Sequence, residues 1–346
     1  DFAAVGFVRL IHKVPMFARI RQDVLRQIKE RKPDAVLLVD FGGFNISFSS
    51  AVRNRYRDLP IIYFISPQVW GSRPWRLNEL ARNISKMLVI FPFEEAIYLR
   101  RGIPARFVGH PLMKDASRFE EPGNRADFAR QHGLDPEAPL IAVFPGSRKQ
   151  EIKDHCPVVT DAIKWLRAER PAVQFVICQS NEKIGGLIRE HLTKAGLAAL
   201  IGRGIQLIDS SESYKLLKNA DVAWAKSGTT TLETTLCGTP MLIFYRADWI
   251  SYLLFLAAKR VKRVGWPNLL AGRSLVPELI QLDCRAEKLV RYTLDLIDVP
   301  ALRNEISTEL KKLRDQLGQG DFDENAAAEI LEIIGCNRQI LNPLKP

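Results

Sequence analysis

The stretch "VFPGSRKQEI", residues 143–152, joins an unbroken apolar run to a mixed, charged one across a Pro-Gly-Ser turn ending on Arg148. Residues 139–144 read as a buried parallel strand, and the pattern after Arg148 reads as a helix. A strand, a glycine turn and a fresh helix N-terminus make an anion site, because backbone N–H groups and the positive end of the helix dipole converge there. Arg148 can hold a diphosphate bidentately and stabilise the charge on a departing phosphate, while amides around Gly146 and Ser147 take other oxygens. A surface arginine beside a simple turn fits the tetrapeptide equally well.

A second turn of this kind lies in "DVAWAKSGTTTLETTLCGTP", where a strand to Ala225 is followed by Ser227, Gly228 and Thr229 and a helix carrying Glu233. Small hydroxyl residues and a glycine let amides approach an anion, and a carboxylate one turn into the helix can reach ribose hydroxyls. The competing reading is a capping box, Thr230-x-x-Glu233, in which Glu233 satisfies an orphan backbone donor. Asp40 closes the strand "AVLLVD" before "FGGFN", where a carboxylate beyond a strand end can serve as base toward a hydroxyl or can be plain turn chemistry. "SPQVWGSRPWRLNEL" presents Trp70, Arg73, Trp75 and Arg76, which suit a phosphorylated or sugar ligand at an interface or, alternatively, a half-buried helix with a basic face.

These side chains need elements to hold them. Strand-like runs at residues 35–39, 61–65, 86–91, 140–144, 174–178, 205–208, 222–225 and 241–244 alternate with helical patterns. That alternation predicts an α/β protein with parallel sheets covered by helices on both faces. The pattern lapses between Arg106 and Asp135, so a domain boundary is expected near Pro111. From about Ala286 the strands stop and helical stretches run to the end. The expected domains are therefore residues 1–111 and 112–300, followed by a helical segment 301–346.

With 346 residues, 47% hydrophobic and 26% charged, the chain is a globular protein of two ordinary domains. Its formal charge of +11 implies an acidic partner: a nucleotide, a nucleic acid or an anionic membrane surface. No aromatic-basic platform or groove-reading motif has recognisable spacing, so nucleic acid is not expected. The 5 cysteines are scattered, as in a reducing compartment, and the isolated histidines have no metal-ligand spacing. Asp321 and Asp323, ahead of an alanine-rich run, read as helix N-cap and first-turn residues rather than metal ligands. No apolar run is long enough to span a bilayer. Two apolar-basic segments, "FVRLIHKVPMFARIRQDVLRQIKERK" and "WISYLLFLAAKRVKR", predict contact with an anionic membrane surface.

Taken in order, these stretches resemble the lipid A disaccharide synthases, glycosyltransferases of the GT-B type. "SPQVWGSRPWR", "FPFEEAIYLRRGIPARFVGHPL", "FPGSRKQEI", "SGTTTLETTLCGTPMLIFYR" and "WPNLLAGRSLVPELIQ" are similar to five of that family's segments. The resemblance implies two Rossmann-like domains facing a cleft, with the donor nucleotide held mainly by the C-terminal one. It implies inverting transfer of 2,3-diacylglucosamine from its UDP conjugate to the 6-hydroxyl of 2,3-diacylglucosamine 1-phosphate, with no metal and no cofactor. Arg148 would hold the diphosphate, Asp40 would act as general base, and Asn268 would lie in the active-site cleft. Gly146, Ser147, Ser227, Gly228, Thr229, Glu233, Trp70, Arg73 and Arg76 would bind substrate. A homodimer, peripheral on the cytoplasmic face of a Gram-negative inner membrane, is also implied, with the helical segment 301–346 crossing back or exchanged between its chains. Gly43 and Ser72 depart from the family's pattern, and its opening strand with a G-E-x-S-G-D turn has no counterpart here. The expected N-terminal domain is therefore short of strands. Alternatives are a non-catalytic remnant that binds a UDP-sugar or membrane, and a GT-B enzyme for another UDP-sugar such as an epimerase.

Overall fold

The computed structural model describes residues 14–247 and 263–341. They form two compact units, one of residues 14–116 with 316–341 and the other of residues 117–247 with 263–315. The apolar-basic segment from Trp249 lies outside the described residues except for Arg263.

The first unit opens with helix α1 (Val14–Arg31) and alternates strands β1 (Val36–Val39), β2 (Ile61–Phe64), β3 (Lys86–Val89) and β4 (Ala105–Phe107) with helices α2 (Gly42–Arg55), α3 (Val69–Ser72), α4 (Arg76–Asn83) and α5 (Pro92–Leu99). All pairings are parallel, in the order β1-β2-β3-β4. Short runs of apolar, largely branched residues form these strands; β2 and β3 are buried on both faces, whereas β1 leaves Leu37 and Val39 exposed. Ile61, Ile62, Tyr63, Met87, Leu88 and Val89 are all withdrawn from water. Each such aliphatic side chain contributes about 1.5–3 kcal/mol by burial. β4 and its three-residue length escape periodicity, which is why the sequence shows only a lapse there.

The second unit begins with α6 (Ser117–Glu120) and α7 (Arg125–His132) and continues through β5 (Leu140–Phe144), α8 (Lys149–Glu169), β6 (Gln174–Gln179), α9 (Glu182–Lys194), β7 (Ile205–Asp209), α10 (Ser213–Asn219), β8 (Val222–Lys226), α11 (Thr229–Cys237) and β9 (Met241–Tyr245). Then come α12 (Trp266–Ala271), β10 (Glu278–Ile280), α13 (Ala286–Asp298) and α14 (Pro300–Asp315). Six parallel strands lie in the order β10-β9-β8-β5-β6-β7. From β5 the chain winds outward through β6 and β7, then returns to the other side of β5 at β8. The crevice outside the carboxyl ends of β5 and β8 is thus the point of reversal, the place where open α/β sheets bind ligands. Trp224 anchors the core beneath it, fully buried, with its indole N–H donating to Thr293 Oγ1 at 2.8 Å.

After α14 the chain rejoins the first unit through α15 (Phe322–Leu341). Ala326 on this helix is buried with Ile62, Leu88 and Val108, and Phe322 stacks on Phe64. Asp321 sits at its N-cap and Asp323 in its first turn, where Asp323 pairs with Lys114 at 2.5 Å. The dipole and an ion pair account for both acids.

Candidate functional site

Two turns converge at the reversal point of the second unit. Pro145 to Arg148 leave β5, and Lys226 to Thr229 leave β8, the strand hydrogen-bonded beside it. Gly146 takes φ 131°, and a Cβ there would stand 2.5 Å from Glu151 Oε2. Only glycine lets the turn pass so close to that carboxylate. Gly228, with φ 147°, plays the matching part after β8 and caps α11.

Glu151 was not singled out by sequence, yet it organises this turn. Its carboxylate accepts from the backbone N–H of Ser147 at 2.9 Å and of Arg148 at 3.3 Å, and from Lys226 Nζ at 3.0 Å. Burial works against its ionisation, but the Lys226 charge and these N–H donors prevail and hold its carboxyl below the usual range. The Ser147 and Arg148 amides, expected to face an incoming anion, therefore serve a carboxylate of the protein itself. Arg148 stands at the N-cap of α8 with its guanidinium 68% exposed, Nη1 lying 4.0 Å from Glu151 Oε1. Its side chain is thus exposed beside the turn, as are Ser147 and Lys149.

His155, fully buried one turn further along α8, fixes the turn from behind. Its Nδ1 lies 2.6 Å from the Pro145 carbonyl, and its Nε2 accepts from the Arg246 N–H at 3.1 Å. A neutral ring protonated on Nδ1 satisfies both, and burial lowers its pKa accordingly.

Beyond β8, Ser227 is buried, Gly228 is half-buried and Thr229 is exposed. Helix α11 starts at Thr229, so its third residue is Thr231, whose hydroxyl donates to the Gly228 carbonyl at 2.8 Å. Glu233 is too far along to close a capping box, which sets aside the competing reading of Thr230-x-x-Glu233. Instead it is paired with the Tyr214 hydroxyl, and burial raises its pKa against that hydrogen bond.

Asn268, expected in a cleft, is buried at 1% exposure. Its amide donates to the Val276 carbonyl at 2.8 Å and to Glu278 Oε1 at 2.9 Å, while its oxygen accepts from the N–H groups of Leu275 and Val276. That uses the whole hydrogen-bonding capacity of the side-chain amide. Asn268 is thus a clamp on the loop before β10.

In the first unit, Asp40 follows β1 in the left-handed region, with φ 43°, and Phe41 repeats that conformation at φ 42°. Such a pair of non-glycine residues persists only where its surroundings hold it. Asn45 donates to the carbonyls of Val39 and Asp40 at 3.0 and 2.9 Å, and the buried Tyr63 hydroxyl donates to the Asp40 carbonyl at 2.6 Å. With its main chain pinned, the Asp40 side chain is left exposed at the carboxyl end of the sheet.

Trp70 turns its indole N–H inward to Glu94 Oε1 at 3.0 Å and meets the ring of Phe93 edge-on. Arg73 and Arg76 are half-buried, Arg76 Nε lying 3.8 Å from Glu79. Glu94 is itself buried, and burial pushes its carboxyl up to about 7 against the pull of the hydrogen bond from Trp70. His110, after β4, is pushed down to about 4 by burial and accepts from the Leu112 N–H. Neither Glu94 nor His110 was marked by spacing, since each stands alone in sequence. Among the described residues no His, Cys, Asp and Glu gather as a metal site.

Comparison with known proteins adds the family. The family profile described as Lipid-A-disaccharide synthetase matches residues 1–332. The lipid-A-disaccharide synthase of Geobacter metallireducens is 32% identical over 98% of this chain and 85% of its own length. That of Syntrophus aciditrophicus is 33% identical over 96% of this chain and 84% of its own. Among solved structures, the S. aureus MnaA–UDP complex is similar with a TM-score of 0.62 at 14% identity, covering 96% of this chain and 83% of that one. A glycosyltransferase from Rickettsia africae has a TM-score of 0.57 at 11% identity, covering 92% and 81%. At such identities the likeness is one of fold, the two-sheet α/β architecture of GT-B proteins.

Proposed function

The chain belongs to the lipid-A-disaccharide synthetase family, and from that premise we infer that it is a hexosyltransferase making the lipid A disaccharide. It transfers 2,3-diacylglucosamine from UDP-2,3-diacylglucosamine to the 6-hydroxyl of 2,3-diacylglucosamine 1-phosphate, with inversion. The observation that carries this reading is the family match along almost the whole chain.

The reaction asks for two things, and each unit offers a candidate. Asp40 is the general base: it takes the proton of the 6-hydroxyl as that oxygen attacks the anomeric carbon. The bond from that carbon to the diphosphate oxygen breaks, and UDP leaves with its electron pair. Arg148 stabilises the charge that develops there, supported by its exposure at the N-terminus of α8 and at the reversal point of the sheet. Gly146, Ser147, Ser227, Gly228, Thr229 and Glu233 form the nucleotide site around it. Asn268 enters as a positioning residue, because its amide is fully engaged. Trp70, Arg73 and Arg76 are assigned to the acceptor, supported by their place beyond β2.

We also propose a peripheral association with the cytoplasmic face of the inner membrane. α1 supports it: Met16 and Ile20 are 46% and 40% exposed beside the exposed Arg19 and Arg21. Among the described residues no helix is long and apolar enough to cross a membrane. A homodimer is proposed as well.

The test is UDP release from UDP-2,3-diacylglucosamine in detergent, with and without the 1-phosphate acceptor. Acceptor-dependent release, lost in Arg148→Ala and Asp40→Ala, is expected. Release without acceptor, or turnover unchanged in both variants, would overturn the assignment.

A further inference from the structure

Lys226 is the last residue of β8, adjoining the reversal crevice, and the family resemblance assigns it no role. Its side chain is only 19% exposed, and Nζ lies 3.0 Å from Glu151 Oε1. A Cβ on Gly228 would stand 3.2 Å from the same Nζ, so the ammonium is seated between the turn after β5 and the turn after β8. One carboxylate thus serves both strand ends: Glu151 Oε2 takes the Ser147 and Arg148 N–H groups while Oε1 takes Lys226.

Two cations approach this one carboxylate, Lys226 Nζ at 3.0 Å and Arg148 Nη1 at 4.0 Å. An ammonium carries three N–H donors, and Glu151 takes one of them. A half-buried lysine held in this way is a pre-oriented cation for an anion arriving at the crevice. Glu151 prevents it from wandering on its flexible stem and moderates the repulsion between the two cations.

We propose that Lys226 is a second cation of the nucleotide-diphosphate site, donating to the phosphates opposite Arg148, with Glu151 as the residue that positions both. This rests on the reading of the second unit as the UDP-sugar site and adds a phosphate ligand to it. The ligand class is a nucleoside diphosphate.

Calorimetric titration of UDP and of uridine into the wild-type protein, Lys226→Met, Lys226→Arg and Arg148→Ala separates the possibilities. Lys226→Met should weaken UDP by about 10- to 100-fold, the range for losing a charge-assisted hydrogen bond, and leave uridine unchanged. Lys226→Arg should recover most of that loss. Equal weakening of UDP and uridine would overturn the proposal, because a residue that merely shapes the turn affects both ligands. UDP binding unaltered in Lys226→Met would overturn it as well. Failure of the wild-type protein to bind UDP would remove the donor-site reading and this inference together, whereas normal wild-type binding with no UDP-selective loss removes the inference alone.

Discussion

Asn268 and Glu278 share a hydrogen bond of 2.9 Å, from the buried amide of the one to the carboxylate of the other, and Glu278 also accepts the N–H groups of Val264 and Gly265. The pair ties the start of α12 to β10 across a loop. It clamps the edge strand β10, so its loss should be read first in stability.

Asn268→Ala would leave the Leu275 and Val276 N–H groups and the Val276 carbonyl without their partner. Each buried, unsatisfied group costs about 1–3 kcal/mol, so a loss of at least about 2 kcal/mol is expected in denaturant unfolding. Asn268→Asp should be worse at neutral pH, because it sets a second carboxylate against Glu278, and should recover in mild acid. An Asn268→Ala protein of wild-type stability with abolished turnover would instead place this amide on the substrate.

Gly146→Ala should damage nucleotide binding through the turn. Its φ of 131° is unsuited to an L side chain, and the new methyl would press on Glu151 Oε2 at 2.5 Å. Strain of about 1–3 kcal/mol is expected, relieved by expulsion of Glu151 from the Ser147 and Arg148 amides. The readout is UDP affinity together with melting temperature; unchanged values of both would contradict this account of the turn.

Asp40→Asn offers a clean test of the base. Asparagine tolerates the left-handed conformation that Asp40 adopts at φ 43°, so the turn should survive. kcat should fall by about 10²–10⁴, the usual worth of a general base, with melting temperature and UDP affinity unaltered. Turnover within a few-fold of wild type would show that another group accepts the proton.

Glu94 should give the first unit a distinctive pH dependence. Its carboxyl is raised from 4.5 to about 7 on folding, so between those values the folded state binds more protons than the unfolded one. Stability from this group is therefore full below pH 4.5, falls as pH rises through 7 and is flat above, a change of roughly 3 kcal/mol. His110 acts in the opposite sense: lowered from 6.5 to about 4, it costs stability as pH falls through that window. Comparing Glu94→Gln with the wild type cancels the histidine. The variant should gain relative to the wild type as pH rises from 4.5 to 7; parallel curves would show that Glu94 ionises freely in the fold.

Most of the strands were legible because each is a short apolar run between turn formers. The run at 140–144 coincides with β5, and those at 61–65 and 86–91 extend one and two residues past β2 and β3. β4 and β10 were not read as strands, since three residues carry no period and β10 includes the charged Glu278. The anion-type turn at Arg148 was legible too, being a strand, a glycine and a helix start in immediate succession.

Glu151 and Lys226 show where local reading stops. They are 75 residues apart in sequence and meet because β8 returns to the flank of β5 after β6 and β7 have been laid down on the other side. Periodicity determines that a segment is a strand and which residues face the core; it says nothing about which strand lies beside which. The sequence by itself determined the α/β class, the glycine turns and the family. Only the tertiary structure decided which charges share the reversal crevice, that Asn268 is spent on its own loop, and that Glu94 is buried, because burial and pairing arise from chain segments that meet only after folding.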